Sequence, residues 1–302
     1  MLPKAVIIVG ATGVGKTELA LKLPSNIFEI ISCDSVQVYK YLNIGSGKPD
    51  AETLKKTPHH LIDIIKPDEE YSAGDFVRDA GCISKSIVEN GKIPLFVGGT
   101  GMYIDSLFKG ISEIPKISSE IRQTIKNELE ISGNELLYSK LKEIDPEYAS
   151  KIHFKDKQRI TRALEVYRAT GKPFSFFHST PGVAEDFDAL FIGLMVERLE
   201  LVNLIHNRVD KMIQNGLIDE VKDLREMGYG SNLKSQMTIG YKEIHSYLDG
   251  KIDQDKAIEE IKSKTAKYAK RQMVWFKRNS SINWFYPQDF QKISDKIKYF
   301  IK

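Results

Sequence analysis

Short apolar runs alternate with longer amphipathic stretches along much of the chain. The four clearest runs are rich in branched and aromatic residues, as buried strands are, and lie at residues 5–9, 27–32, 93–97 and 189–196. Shorter candidate strands lie at residues 61–65 and 282–286, and helical patterns at 17–23, 71–89 and 102–108 follow several of the runs. Strands that alternate with helices predict an α/β fold with a doubly wound parallel sheet.

The pattern changes between residues 112 and 188, which are charged and helical. Breaks interrupt this stretch at residues 132–133, 145–146 and 171–173, where Gly, Pro, Ser and Asp cluster. An apolar strand returns at Ala189, and the chain then becomes helical for about 80 residues. We therefore predict the first part of a sheet domain at 1–111, a helical insertion domain at 112–188, and a return strand with helical C-terminal region at 189–302.

The first predicted strand leads into a glycine-rich loop that fits the pattern G-x-x-x-x-G-K-[ST]. The loop consists of Gly10, Ala11, Thr12, Gly13, Val14, Gly15, Lys16 and Thr17. Its glycines let successive N–H groups point inward, the following helix presents its positive end, and Lys16 adds a full charge. The strand–loop–helix context predicts a P-loop-type fold that binds a diphosphate or triphosphate. Whether that group belongs to a nucleotide stays open.

Two further segments follow predicted strands and should share a crevice with this loop. Asp34 and Ser35 come directly after the second strand, and residues 98–101 follow another strand. In open parallel sheets, ligands bind beyond the carboxyl ends of the strands. Asp34 could ligate Mg²⁺, act as a general base, or cap the next segment. Thr100 places a hydroxyl at the mouth of the same crevice.

Basic residues cluster towards the carboxyl end. Residues 251–302 contain 13 Lys or Arg against 6 Asp or Glu, although the whole chain has a net charge of only +3. Lys264, Lys267, Lys270 and Arg271 follow one helical stripe, with Tyr268, Gln272 and Trp275 between them. Such a stripe is typical of a nucleic-acid surface, but it also fits a solvated helix face. Arg159 and Arg162 likewise share one helix face and suit phosphate or base contacts.

Composition narrows the class of protein. No apolar stretch reaches the ~18 residues of a membrane span, so we expect no membrane partner. Cys33 and Cys82 form neither a C-x-x-C pair nor a zinc-ligand spacing, which is typical of a reducing, cytoplasmic environment. The side chains of the adjacent His59 and His60 point apart, so we predict no structural metal there.

Taken together, the motifs resemble those of the tRNA dimethylallyltransferase family, whose members prenylate an anticodon-loop adenosine. The matching segments keep the family's order and extend over about residues 5–276. They are residues 10–17, 34–39, 45–49, 58–63, 71–73, 97–103, 145–146, 152–153, 156, 158–165, 240–241 and 269–272. Ala11 stands where the family often has Pro, and Ser46-Gly47 where it often has Thr-Ala. The zinc-finger extension of eukaryotic relatives is absent, as in the short bacterial form.

The resemblance implies specific roles for these residues. The loop of residues 10–17 would bind the diphosphate of dimethylallyl diphosphate rather than ATP, with Lys16 acting in catalysis, Arg208 as a second cation and Thr17 holding Mg²⁺. Asp34 would be the base for the adenine N6 amine, and Thr100 would steady the reacting groups. Contacts with the tRNA anticodon stem-loop would come from Asp34, Ser35, Val36, Gln37, Thr100, Arg122, Gln158, Arg159, Ile160, Thr161, Arg162, Met237, Thr238, Ile239, Gly240, Tyr241 and Lys242.

These roles imply transfer of a dimethylallyl group to the adenosine 3′ to the anticodon, position 37, by a monomeric enzyme. To this tRNA surface we add Lys267, Lys270 and Arg271 from the basic stripe. Three other functions stay open: prenylation of free AMP or ATP, phosphorylation of a small molecule with ATP, and a GTP-dependent switch or RNA-binding module. The insertion and the basic carboxyl-terminal helix favour a macromolecular acceptor, and the absence of an N-K-x-D motif disfavours a GTPase.

Overall fold

The computed structural model describes residues 2–112, 114–178 and 184–302. The chain divides into two compact units, one formed by Met1–Phe108 with Glu185–Lys302 and the other by Lys109–Ala184. The second unit covers most of the predicted insertion, of which residues 113 and 179–183 lie outside the described residues. Its role in tRNA binding stays a prediction.

A parallel sheet, six-stranded in the described residues, organises the first unit. Its strands are β1 (Lys4–Gly10), β2 (Phe28–Cys33), β3 (His59–His60), β4 (Ile93–Gly98), β5 (Asp188–Leu194) and β6 (Asn283–Phe285). They lie in the order β3-β2-β4-β1-β5-β6, and every pairing is parallel. The predicted α/β fold is therefore confirmed.

The strand predicted at residues 61–65 is wrong, because β3 ends at His60. Leu61 and Asp63 adopt φ angles of 62° and 56°, in the left-handed region that strand residues do not occupy. The Lys48 ammonium lies 2.5 Å from the Asp63 carboxylate and helps to fix this turn. The apolar residues of this segment favour a strand, but its backbone forms a turn in which a polar tertiary contact is made.

Helices connect the strands and form the rest of both units. In chain order they are α1 (Lys16–Leu21), α2 (Ala51–Lys56), α3 (Ala73–Glu89), α4 (Gly101–Lys109), α5 (Ser119–Ile144), α6 (Pro146–Lys151), α7 (Lys157–Thr170), α8 (Phe174–His178), α9 (Arg198–Gln214), α10 (Leu217–Glu226), α11 (Tyr241–Leu248), α12 (Gln254–Phe276) and α13 (Phe290–Ile301). Across the described ranges, we find no helix with the length and apolar character needed to span a membrane.

Helices cover both faces of the sheet. On one face, Val6 and Ile8 of β1 are fully buried in a cluster with Leu19 of α1 and Ile293 of α13. On the other face, the ring of Phe96 in β4 lies 5.4 Å from that of Phe108 in α4. Burial on both faces accounts for strands that are almost continuously apolar. The loops that follow β1, β2 and β4 therefore begin at buried strand ends.

The second unit has a helical core of its own. Leu137 and Leu141 of α5 are buried with Ile160 of α7 in one apolar cluster. Helix α5 is interrupted at Gly133, whose φ of 75° and ψ of 171° are not helical. Asp145 caps α6 by accepting from the Tyr148 N–H at 3.0 Å. The breaks predicted at residues 132–133 and 145–146 therefore mark a kink and a helix start.

Candidate active site

Three loops meet at the carboxyl edge of the sheet. Strand β1 is flanked by β4 and β5, so the strand order reverses direction beside it and leaves a crevice beyond the strand ends. The glycine-rich loop follows β1, Asp34 follows β2, and Gly98 ends β4. A cleft of about 830 Å³ lies here, with Lys16, Thr17 and Asp34 among its lining residues. The structure thus brings the predicted phosphate-binding and acid–base groups together.

The glycine-rich loop curls around the Lys16 ammonium. Gly13 and Gly15 have φ angles of 82° and 92°, in the left-handed region that favours glycine. Lys16 Nζ donates to the carbonyl oxygens of Gly10 at 3.0 Å and Ala11 at 2.7 Å. The loop therefore holds the ammonium at the carboxyl end of β1, at the start of α1.

Two desolvated cations make the cleft attractive to anions. Burial lowers the pKa of Lys16 to about 8, Asp34 opposes that shift and Arg208 adds to it. Arg208 of α9 also lines the cleft. Burial lowers the pKa of Arg208 as well, while Asp34 and Glu18 oppose the shift. Such a pair is suited to a ligand that carries several negative charges, such as a diphosphate.

The Asp34 carboxylate lines the cleft and also fixes the turn after β2. Its Oδ1 accepts from the backbone N–H groups of Val36 at 2.8 Å and Gln37 at 3.3 Å. Gln37 lines the cleft too, and its Nε2 donates to the Gly47 carbonyl at 3.3 Å. The turn therefore keeps a carboxylate at the cleft wall, where it can take a proton or ligate a cation.

Thr100 connects the loop after β4 to the Asp34 turn. Its Oγ1 accepts from the Ser35 N–H at 3.1 Å and lies 3.5 Å from the Ser35 hydroxyl. Tyr268 lies close to Thr100, and burial raises the pKa of its hydroxyl to about 12. These contacts fix the Thr100 hydroxyl beside the predicted base.

Gln272 joins the glycine-rich loop to the loop after β4, a role that sequence reasoning missed. Its Oε1 accepts from the Thr12 N–H at 2.8 Å, and its Nε2 donates to the Gly99 carbonyl at 2.8 Å. The residue is only 6% exposed, so its position in the basic, aromatic stretch reflects the active site rather than a surface. Its partners lie 260 and 173 residues away along the chain, which no local pattern reveals.

The predicted tRNA residues of the second unit lie on α5 and at the start of α7. Gln158, Arg159 and Thr161 are exposed or half-buried, and Arg122 is half-buried in α5. Arg159 pairs with Asp156, and Arg162 lies 3.4 Å from Glu165. Ile160 differs from the rest of the set, since it is fully buried in the core of this unit. Its side chain supports the helix and is not at the surface.

The predicted segment of residues 237–242 also divides into exposed and buried members. Met237 and Lys242 are exposed, while Thr238 and Ile239 are half-buried. Tyr241 is fully buried, and its hydroxyl donates to Glu220 at 2.7 Å. Any contact that Tyr241 makes with RNA would therefore come from its backbone and not from its buried side chain. The buried side chain attaches this segment to α10 through Glu220.

The basic stripe on α12 is exposed in part. Lys267, Lys270 and Arg271 are exposed, and the Arg271 guanidinium lies 5.6 Å from the centre of the Tyr268 ring. Lys264 instead pairs with Glu243 at 2.9 Å and Glu260 at 2.7 Å. Three of the four cations in the stripe are thus presented to solvent.

The adjacent histidines have separate polar partners. His59 Nδ1 lies 2.6 Å from the Thr57 carbonyl, and His60 Nε2 lies 2.9 Å from Glu29 Oε2. In the part of the chain that the structure describes, we find no cluster of three or more His, Cys, Asp or Glu suited to a metal ion.

A buried histidine gives a prediction on acid stability. His245 Nδ1 accepts from Arg225 Nε at 2.8 Å, Nε2 lies 3.0 Å from Gln236 Oε1, and burial lowers its pKa to about 4. Below pH 6.5 the unfolded chain gains a proton there and the folded chain does not, so stability should fall by up to roughly 3 kcal/mol towards pH 4. Urea unfolding across this range should show a smaller pH dependence for His245→Asn, whereas the exposed-site control His153→Asn should match the parent protein.

Comparisons with protein families place this site in context. A family model described as IPP transferase matches residues 37–279. A second model, described as Isopentenyl transferase, matches residues 3–66, which contain the glycine-rich loop and Asp34. The chain is 46% identical to tRNA dimethylallyltransferase 2 of Geotalea uraniireducens, over 97% of this chain and 96% of that protein.

Solved structures are similar over nearly the whole chain. A tRNA isopentenylpyrophosphate transferase from Bacillus halodurans has 36% identity and a TM-score of 0.72, covering 98% of this chain and 96% of its own. A eukaryotic dimethylallyltransferase acting on tRNA has 30% identity and a TM-score of 0.80, covering 94% of this chain and 74% of its own. The α/β fold of this chain is thus similar to that of the tRNA-modifying transferases in these comparisons.

Proposed function

Because this chain belongs to the tRNA dimethylallyltransferase family, we propose that it transfers the dimethylallyl group of dimethylallyl diphosphate to the N6 amine of adenosine 37 in tRNA. The chain is a tRNA dimethylallyltransferase, and the proposal concerns the acceptor atom and the residues that act on it. The main support for this function is the cleft, which is lined by two cations, Lys16 and Arg208, and by the Asp34 carboxylate.

The diphosphate is proposed to lie between the glycine-rich loop and Arg208. Breaking the allylic C–O bond leaves positive charge on carbon and builds negative charge on the departing diphosphate. Inward N–H groups, Lys16 and Arg208 stabilise that charge without reorganisation of water. Lys16 now donates to the Gly10 and Ala11 carbonyls, and phosphate oxygens would compete for the same protons.

Asp34 is proposed to act as the base. The exocyclic adenine amine is a poor nucleophile because its lone pair is delocalised into the ring. As the new C–N bond forms and the C–O bond to diphosphate breaks, a carboxylate that takes the amine proton limits the positive charge on nitrogen and lowers the barrier. Asp34 lies at the cleft wall, and its turn is tied through Ser35 to Thr100, which would orient the reacting amine.

The cleft also fits Mg²⁺ bound together with the diphosphate. Thr17 lines the cleft next to Lys16, and a hydroxyl, phosphate oxygens and waters are the ligands that Mg²⁺ prefers. When bound, Mg²⁺ would supply additional positive charge opposite the leaving diphosphate.

The tRNA anticodon stem-loop is the proposed macromolecular substrate. Exposed members of the predicted set, such as Gln158, Met237 and Lys242, would contact it, while Ile160 and Tyr241 support their helices. Adenosine 37 must leave its stack to reach a cleft at the end of a sheet, as in other enzymes that modify bases.

Neutralising the α12 stripe should weaken tRNA binding and reduce its dependence on salt. In a variant with Lys267, Lys270 and Arg271 all changed to Gln, each lost phosphate contact should reduce the slope of log K against log salt by about 0.7–0.9. The measurement is filter binding of tRNA between low and moderate salt. A matched variant with Lys292, Lys296 and Lys298 of α13 changed to Gln removes the same charge and should keep the parent slope. If all three proteins had the same salt slope, the stripe would be a solvated helix face that does not contact tRNA phosphates.

One assay separates this function from its competitors. Labelled dimethylallyl diphosphate is incubated with tRNA, with AMP or with ATP, and the label in each acceptor is measured. We expect label in tRNA alone. AMP is the informative alternative acceptor, since labelled AMP without labelled tRNA would replace the proposed acceptor. Hydrolysis of ATP or GTP without any prenyl transfer would indicate a kinase or a switch.

A further inference from the structure

Glu220 of α10 binds a loop of the cleft wall through three consecutive backbone amides. Its Oε2 accepts from the N–H groups of Asn43 at 3.0 Å and Ile44 at 2.8 Å, and its Oε1 accepts from Gly45 at 3.2 Å. Hydrogen bonds to a carboxylate are stronger than neutral ones, and an amide left without its acceptor is costly. The Glu220 side chain thus holds the first three residues of this loop in place.

Tyr241 shares the same carboxylate. Its hydroxyl donates to Glu220 Oε1 at 2.7 Å, and its ring covers Gly45, where a Cβ would lie 2.5 Å from a ring carbon. Tyr241 begins α11 at the end of the predicted tRNA segment of residues 237–242. Glu220 therefore joins this segment to the loop of residues 43–45.

The far end of the loop touches Arg208. Gly47 has a φ of 64°, and a Cβ at this position would overlap the Arg208 guanidinium, so glycine permits this close approach. The next residue, Lys48, is buried and donates to the Asn43 side chain at 3.1 Å and the Tyr39 carbonyl at 2.6 Å. These contacts make residues 43–48 one braced wall, held at its start by Glu220 and in contact with Arg208 near its end.

We propose that Glu220 is a positioning residue that sets the Arg208 guanidinium for diphosphate binding by fixing the wall of residues 43–48. This inference rests on the proposed function for the identity of the ligand. Glu220 would act by positioning Arg208 and would not itself contact the substrate. Through Tyr241 the same carboxylate links the wall to the predicted tRNA segment. The sequence separation of about 175 residues between Glu220 and the loop hides this connection from local patterns.

The test measures binding of inorganic diphosphate by calorimetry, so it does not depend on catalysis. Glu220→Gln leaves an amide N–H donor facing backbone N–H groups, and we expect its Kd for diphosphate to rise about 10-fold. Tyr241→Phe removes one donor and leaves the three amide contacts, so about a threefold rise is expected. The control Asp219→Asn, on the same helix and exposed, should keep the parent Kd.

A double-mutant cycle with Arg208→Ala separates positioning from a general loss of structure. If Glu220 acts through Arg208, Glu220→Gln should change the Kd less than about twofold in the Arg208→Ala background. The same fold-change in both backgrounds, or a parent Kd in Glu220→Gln, would overturn the inference. Should Glu220→Gln fail to fold, Tyr241→Phe is carried through the same cycle with the same criteria. Diphosphate binding that follows this pattern in a protein without prenyl transfer would overturn the proposed function and leave the positioning role intact.

Discussion

Asp34→Asn is expected to bind both substrates and to lower turnover by ~10²–10⁴-fold, the usual contribution of general-base catalysis. The side-chain oxygen of Asn can still accept from the Val36 and Gln37 N–H groups, so the turn should persist. Asn keeps the size of the side chain but cannot take the amine proton. The loss should therefore appear in kcat, with little change in either affinity.

A magnesium series distinguishes this role from metal ligation. If Asp34 anchored Mg²⁺, the variant should bind dimethylallyl diphosphate poorly, and extra Mg²⁺ should partly restore its rate. Asp253→Asn is a matched control, because Asp253 caps α12 by accepting from the Lys256 N–H at 2.7 Å. It should retain parent turnover. Rescue of Asp34→Asn by Mg²⁺ would contradict the base assignment, and near-normal turnover would leave Asp34 as a capping residue.

Much of the fold follows from local sequence. The apolar runs around Ile7, Ile30 and Leu95 predict strands because burial on both faces of a sheet leaves few polar positions. Local pattern fails at residues 61–65, where Lys48 contacts Asp63 and two residues adopt positive φ. That contact joins residues 15 positions apart, and hydrophobic periodicity carries no information on it.

The candidate site likewise contains residues that local sequence predicts and residues that it does not. The loop of residues 10–17 and Asp34 could be predicted because each follows a strand directly, and parallel strand ends meet at one edge. Gln272 and Glu220 could not, because each acts on backbone groups of a distant loop. A polar residue on an amphipathic helix has the same sequence signature whether it faces water or binds such a loop. Tyr241 shows the converse, since it belongs to a motif predicted to bind tRNA although its side chain is fully buried.

Lys16→Ala is expected to weaken use of dimethylallyl diphosphate sharply while tRNA binding stays nearly intact. Losing a charge-assisted contact to a buried phosphate should cost about 2–4 kcal/mol, or roughly 30- to 1,000-fold in kcat/KM for the diphosphate substrate. The ammonium also holds the Gly10 and Ala11 carbonyls, so thermal unfolding must be compared with that of the parent protein. Lys22→Ala, an exposed change just beyond α1, removes the same charge and should leave the kinetics unaltered.

The Lys16→Ala variant also tests whether diphosphate binding and tRNA binding depend on different residues. Lys16 lines the cleft beneath the loop, whereas the exposed cations proposed for tRNA, Lys267, Lys270 and Arg271, lie on α12. Filter binding of tRNA by Lys16→Ala should therefore give the parent affinity and the parent salt slope, because no proposed backbone phosphate contact is removed. An equal loss of tRNA affinity and diphosphate use would mean that Lys16 serves both substrates, and the loop could then no longer be assigned to the diphosphate alone.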